Sequence, residues 1–409
     1  MALLFCRRPG VPGGCPGRPA RLNTAQASVL LEAVRIGAAA GGYRPAIGPP
    51  SGSCTRRPPQ AVDLVTPGRP FCGVGMSSSG RDLWIGFDLG GTKMLAIAYT
   101  HDWKAVGRRR RKTRGRDGSD QGIQRIGSTI DRLLEENGLT PERVAGIGIG
   151  CPGPIDLRRG RILTTPNLGW DDVDVGEFLR KRFGRPVVVM NDVDAGVFGE
   201  YRFGAAKGSR CAVGIFPGTG IGGGCVYEDR ILEGAGISCM EIGHTRISSS
   251  DRASGYELPG TLEAEASRLT IAAEAAKAAF RGEAPYLRKA AGTDLANIRS
   301  GVLADAIAQG DRSIRRLVET ACQTIALGVV NIVHLLAPDT IVLGGGLVEA
   351  MEELIVGTVK KAARQNVMEV YRDRFDVVAA KLGDDAAALG AAAWAHKQIV
   401  GDGNFVPRD

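Results

Sequence analysis

Trp84-Ile85-Gly86-Phe87-Asp88-Leu89-Gly90-Gly91-Thr92-Lys93-Met94-Leu95-Ala96-Ile97-Ala98-Tyr99 is two apolar runs parted by an aspartate and a glycine pair. The runs read as strands over 84–87 and 94–99, and Asp88-Leu89-Gly90-Gly91-Thr92-Lys93 as the loop that joins them. A second glycine-rich stretch, Gly218-Thr219-Gly220-Ile221-Gly222-Gly223-Gly224, follows another apolar run. Loops without Cβ atoms let backbone N–H groups close on phosphate oxygens, so two of them imply two lobes gripping one nucleotide. That is the layout of a two-lobed phosphotransferase.

The rest of the chain extends this pattern. A third strand follows from Ala105, and 121–137 carries apolar residues at Ile123, Ile126, Ile130, Leu133 and Leu134, a helical spacing. A buried strand over 144–150 ends at Pro152-Gly153-Pro154. Three strands, a helix and a strand are the order of a ribonuclease-H-like lobe. The β-branched run 186–190 reads as a strand covered on both faces, which delivers Asn191-Asp192 to its carboxyl end, where open α/β sheets place ligands. A second such lobe starts at Cys211, with a hairpin of strands 211–216 and 224–227 flanking the second loop. It continues as a helix over 313–336, a strand over 340–343, a third glycine loop Gly344-Gly345-Gly346, and a helix over 347–364. An Ala-rich helix over 385–397 is expected to pack back on the first lobe. The domain reading is an extension over 1–80, an N-terminal lobe over 81–195 completed by a helix over 385–398, and a C-terminal lobe over 196–384.

At 409 residues and 43.0 kDa, with 44% hydrophobic residues, the chain can fill two cores. No uninterrupted apolar run reaches the roughly 18 residues of a membrane span. The formal charge of +8 is concentrated in residues 1–75, which hold nine Arg against Glu32 and Asp63. The main body is near neutral and is not expected to bind nucleic acid. Nine cysteines with no CxxC pair read as isolated thiols in a reducing compartment, the cytoplasm.

Residues 1–75 also hold 11 of the 21 prolines and show one helix-sized segment, 24–40, so they are expected to be disordered. A targeting segment would need a cleaner apolar core, and a winged-helix DNA reader would need three helices. The preferred reading starts the functional chain near Met76, with the upstream part a dispensable tail or a mis-called start.

Several side chains could carry chemistry. Asp88 faces the nucleotide loop and can hold Mg²⁺ through water, or it can be a turn residue. Thr92 and Lys93 could contact phosphate, and Lys93 could equally be a solvated strand-edge residue. The 218–224 loop sits between two strands and not ahead of a helix, which rules against a dinucleotide fingerprint, and five glycines in seven residues exceed the needs of a hairpin. Asp192 is the candidate general base for an attacking hydroxyl, and Asn191 can hydrogen-bond a hydroxyl-rich substrate. Asp194 is expected to be the N-cap of the following helix. Glu241, His244 and Glu263 supply further polar groups. The basic run 108–112, with Arg114 and Arg116, reads as a solvated hairpin or as an attractor for a polyanionic donor such as polyphosphate.

Asp88 to Lys93, Gly148-Ile149-Gly150-Cys151-Pro152-Gly153-Pro154-Ile155-Asp156, Asn167-Leu168, Asn191-Asp192, the 218–224 loop, Glu241-Ile242-Gly243-His244 and Leu343-Gly344-Gly345-Gly346 occur in an order that resembles the ROK family (repressors, open reading frames and sugar kinases). The likeness covers roughly residues 83–396 and is closest to the family's bacterial glucokinases. It implies an α/β, two-lobed actin-like ATPase fold whose interlobe cleft closes around sugar, and an ATP- and Mg²⁺-dependent hexose kinase. By this resemblance Asp192 is the catalytic base, and Asn167, Asn191, Glu241, His244 and Glu263 bind sugar hydroxyls. Asp88, Gly90, Gly91, Thr92 and Lys93 with Gly218, Thr219 and Gly220 are the phosphate loops, and Gly344, Gly345 and Gly346 the adenosine loop. A homodimer or tetramer, with no membrane or nucleic-acid partner, is also implied. Fructokinase, N-acetylglucosamine kinase, N-acetylmannosamine kinase and a sugar-responsive transcription regulator are the alternatives.

One departure is plain. The family's zinc segment, C-x-C-G-x-x-G-C-x-E, is here Ser254-Gly255-Tyr256-Glu257-Leu258-Pro259-Gly260-Thr261-Leu262-Glu263. Ser254, Tyr256 and Thr261 stand at the three thiolate positions, and His244 alone cannot build a tetrahedral site. No zinc site is therefore expected, and His244 should be able to meet the substrate directly. Elemental analysis of protein purified without added zinc should find well under one equivalent; a full equivalent would overturn this.

Overall fold

The structure is a computed structural model that describes residues 80–401. The 24–40 segment and the expectations for the arginine-rich extension lie outside the described residues. Strands β1 (Leu83–Leu89), β2 (Lys93–Tyr99) and β3 (Ala105–Lys112) form an antiparallel meander, and β4 (Val144–Cys151) joins β1 in parallel. A small antiparallel sheet of β5 (Ile155–Asp156), β6 (Arg161–Thr165) and β7 (Trp170–Val173) intervenes before β8 (Val187–Asn191), which pairs in parallel with β4. The first sheet has the order β3-β2-β1-β4-β8.

The chain then repeats itself. Strands β9 (Cys211–Pro217), β10 (Ile221–Tyr227) and β11 (Arg230–Ile231) make a second meander, and β12 (Thr340–Leu343) and β13 (Asp376–Ala379) add in parallel, giving β11-β10-β9-β12-β13. Two sheets of the same strand order and sense make the two lobes that the glycine loops imply, in the α/β, actin-like arrangement that the resemblance implies.

The helices explain why these sheets hold. Ser119–Glu136 buries Ile126, Ile130, Leu133 and Leu134 on the first sheet, the face given by their spacing. Arg312–Leu336 buries Ile314, Val318, Ile325, Val329 and Ile332 in the core of the second lobe. Its most apolar window has a mean hydropathy of 1.3, enough by length and composition to cross a membrane, but half of that window is buried inside the protein. The helix expected over 347–364 is broken at Met351 (φ −144°) into Gly346–Ala350 and Glu352–Asn366. A set of helices from Leu262–Ala266 to Ser300–Ala308 fills the second lobe without having announced itself in the sequence, being short and Ala-rich.

Ala386–Val400 lies on β1 and β4 and against the helix Asp192–Phe203. It lies so close that a Cβ on Gly86 or Gly148 would fall 1.9 Å from the carbonyl oxygens of Ala388 and Ala391. Both passes of the chain between the sheets, 204–210 and 380–385, meet one residue. The fully buried Glu200 accepts from Ala205 N (2.7 Å), Lys381 N (2.8 Å) and Leu382 N (2.7 Å). Three backbone donors on one carboxylate offset the cost of burying it. Gly148→Val should lower stability by about 1–3 kcal/mol or more through overpacking. Scanning calorimetry reads this out, and an unchanged midpoint would remove the proposed backbone contact.

Candidate active site

Parallel pairing places the carboxyl ends of β1, β4 and β8 side by side, with Asp88 opposite Gly150 and Cys151 opposite Asn191. Asp192 follows β8 at once as the first residue of the helix Asp192–Phe203. The N-cap of that helix is Asn191, not Asp194: its Oδ1 accepts from Val193 N (2.8 Å) and Asp194 N (3.2 Å). This corrects the sequence expectation, because the strand runs straight into the helix with no spacer to place a cap two residues later. The Asn191 acceptor is thus committed, and its Nδ2 donates to Gly153 O at 3.4 Å. Asp194 is instead buried in the first turn, where burial and the nearby Glu233, Glu241 and Asp192 push its pKa well above the carboxylate range.

Asp192 and Asp88 are within electrostatic reach of each other. Burial lifts Asp192 to about 6, helped by Glu241 and opposed by the Val193 N–H that donates to its Oδ1 at 2.9 Å. Burial lifts Asp88 to about 7, with the Asp192 charge adding to the rise and Lys93 and Arg110 opposing it. Asn167, exposed on the turn after β6, lies beside the first glycine loop, its Cβ 3.7 Å from where one on Gly91 would be.

The second glycine loop is tighter than expected. Gly218 N donates to Gly220 O at 2.8 Å, and β10 already begins at Ile221. Only Gly218, Thr219 and Gly220 form the turn; Gly222, Gly223 and Gly224 are strand residues, bare because other segments press on them. A Cβ on Gly222 would lie 2.4 Å from Val193 Cγ2, and one on Gly224 2.8 Å from Asp194 Oδ1. The third loop is adjacent, since Gly344, Gly345 and Gly346 follow β12 next to β9, and Gly345 takes φ +86° beside Pro217.

Glu263 fastens the turn to the segment that replaces the zinc loop. Its Oε2 accepts from Ile221 N (3.0 Å) and its Oε1 from Gly255 N (3.3 Å). Glu241, whose pKa burial raises, is in electrostatic reach of Asp192, His244 and Glu263. His244 packs edge-on against Tyr256 at 4.8 Å, and its Nδ1 is covered with no partner, which leaves Nε2 to reach a ligand. The three substituted positions hold the loop themselves. Thr261 caps Leu262–Ala266, Ser254 Oγ accepts from Tyr256 N, and Tyr256 packs on His244. Among the described residues no group of three or more His, Cys, Asp or Glu gathers as a metal cluster.

Two other placements settle open alternatives. Lys93 is an exposed residue at the start of β2, the second of its two readings, and its Nζ donates to Asp384 Oδ1 at 2.7 Å. The basic run is β3, the outer arm of the β2–β3 hairpin with Arg108, Arg110 and Lys112 exposed as the first reading has it, and its cations are paired: Arg108 with Asp385, Arg110 with Asp384, Arg109 with Glu136, while Arg111 donates to Ser128. Arg108 and Arg110 latch this edge strand to the turn before Ala386–Val400, and Arg109 and Arg111 tie it to the helix Ser119–Glu136. Sequence reasoning missed Arg268. Its Nη2 donates to Thr219 Oγ1 (2.9 Å) and its backbone N to Gly218 O (2.9 Å). The one available signal was a cation opening a helix, an unfavourable end for it.

Comparison with known proteins agrees with this geometry. The ROK family matches residues 84–398. A glucokinase of Thermotoga maritima is 32% identical over 78% of this chain and 98% of its own. A xylose repressor of Caldicellulosiruptor bescii is 27% identical over 64% of this chain and 65% of its own. The structure of a ROK family glucokinase from Streptomyces griseus, in complex with glucose and AMPPNP, superposes with a TM-score of 0.69 at 28% identity, over 77% of this chain and 99% of that one.

Proposed function

Because the chain belongs to the ROK family, we propose that it transfers the γ-phosphoryl group of ATP to the primary hydroxyl of a hexose, with glucose as the preferred acceptor. The observation that carries this reading is the placement of Asp192 directly after β8, at the same sheet end as Asp88, with β10 of the second lobe packed against the first turn of its helix. The glucose and nucleotide analogue bound by the Streptomyces griseus enzyme support both substrates.

In this reading Asp192, ionised, accepts the hydroxyl proton as the sugar oxygen bonds to the γ-phosphorus and the bond to the ADP oxygen breaks. Glu241, His244 Nε2, Asn167 and the Asn191 amide orient the sugar, with Glu263 acting mainly by shaping the turn. Backbone N–H groups at Gly90, Gly91 and Gly220, with Thr92 and Thr219, receive the phosphates, Gly218 shapes the turn through its bond to Gly220 O, and Gly344 to Gly346 receive the adenosine. Asp88 feels the charge of Asp192 while Lys93 is committed to Asp384, a gathering of carboxylates that a hydrated dication on Asp88 would relieve. Mg²⁺ bound there would neutralise charge on the donor's phosphates. The working form we propose is a cytoplasmic homodimer, on the family resemblance.

The similarity to a xylose repressor favours a second reading, a sugar-responsive regulator. The intact Asp192 weighs against it, and a gel shift with the full-length chain separates the two.

A coupled assay across a hexose panel tests the proposal. Asp192→Asn should fold normally and lose about 10²–10⁴-fold in turnover; near-normal turnover would place the base elsewhere. The pH profile carries the sign. A base with a raised pKa is active when ionised, so kcat/KM should fall as pH drops through about 6 and level off above it. A profile flat down to pH 4 would contradict Asp192 as base.

A further inference from the structure

We propose that Arg268 is a binding residue for the donor's phosphates, a cation supplied by the second lobe to the 218–220 turn; this rests on the kinase reading above. The guanidinium is aimed at the turn, with Nη2 donating to Thr219 Oγ1 at 2.9 Å, while the residue's own backbone N–H donates to Gly218 O at 2.9 Å. Arg268 is thereby fixed to both sides of the loop that receives phosphate, by its main chain and by its side chain.

Its surroundings do not explain it as a structural residue. Arg268 is half-buried, and among the described residues it forms no salt bridge with a carboxylate. The first turn of its helix, Arg268–Phe280, contains no acidic residue, so the positive end of the helix adds to its own charge. Burial holds its pKa below the usual arginine value, and the nearby Arg299 lowers it further. Ser300 Oγ, next to Arg299 in the chain, lies 3.8 Å from where a Cβ on Gly346 would be, while Arg299 itself is exposed and donates its Nε to Ala296 O at 3.2 Å. A half-buried arginine held on a glycine turn, paired with no carboxylate among the described residues, presents a cation to an anionic group placed at that turn. A nucleoside triphosphate has that chemistry. An arginine reads phosphate through a planar fork of donors, which a lysine cannot reproduce.

The test uses the full chain and its Arg268→Ala and Arg268→Lys variants, with calorimetric titration of ATP, ADP, AMP and adenosine, and glucose titrated separately. Loss of a charge-assisted contact to phosphate should weaken ATP binding about 10- to 100-fold in the alanine variant, with partial recovery in the lysine variant. The loss should shrink from ATP toward adenosine, and glucose affinity should stay within twofold, which also reports that the site is folded. In turnover, KM for ATP should rise while KM for the sugar holds. An ATP affinity within twofold of wild type, or equal weakening of ATP and adenosine, would overturn the role of Arg268 alone. A wild-type chain that binds no ATP would instead take down the kinase reading and this one with it.

Discussion

The site exists because nothing stands between the first turn of the helix Asp192–Phe203 and strand β10. Side-chain atoms of Val193 and Asp194 occupy the space that Cβ atoms on Gly222 and Gly224 would claim. That contact brings a carboxylate at the end of one sheet against the edge of the other, and it removes the water that would keep Asp192 and Asp88 at ordinary acidity. Proximity and raised pKa therefore have one origin, the close fit of a capped helix to a bare strand.

Much of the fold was legible because it is written in strong local signals. β-branched runs at 144–150 and 186–190 marked buried parallel strands, glycine clusters marked the turns, and the spacing of Ile126, Ile130 and Leu133 marked a helix. What stayed hidden had weak or competing signals. The small sheet β5–β7 is made of short, mixed strands, and the helices from 262 to 308 are brief and rich in alanine. Met351 interrupts a helix with no proline or glycine to announce it.

At the site, residue types were readable and partners were not. Asp192 could be singled out because a carboxylate directly after a buried strand has few structural uses. Whether Asn191 or Asp194 capped the helix depended on where the strand stopped, a matter of one or two residues. Lys93, Arg108 and Arg110 find acids nearly 300 positions away, at Asp384 and Asp385, and no local pattern foretells such a pairing. The glycines at 222 to 224 misled for the opposite reason: they suit a phosphate loop and a crowded strand equally well.

Glu200 has a mechanical meaning. Two tethers that join a pair of bodies at separate points let those bodies shear past one another. Here both tethers are clasped by the oxygens of a single side chain, Ala205 on one and Lys381 with Leu382 on the other. Sliding would stretch bonds on one oxygen while compressing those on its twin, whereas swinging about that carboxylate leaves all three nearly unchanged. The geometry favours a pivot about that one carboxylate.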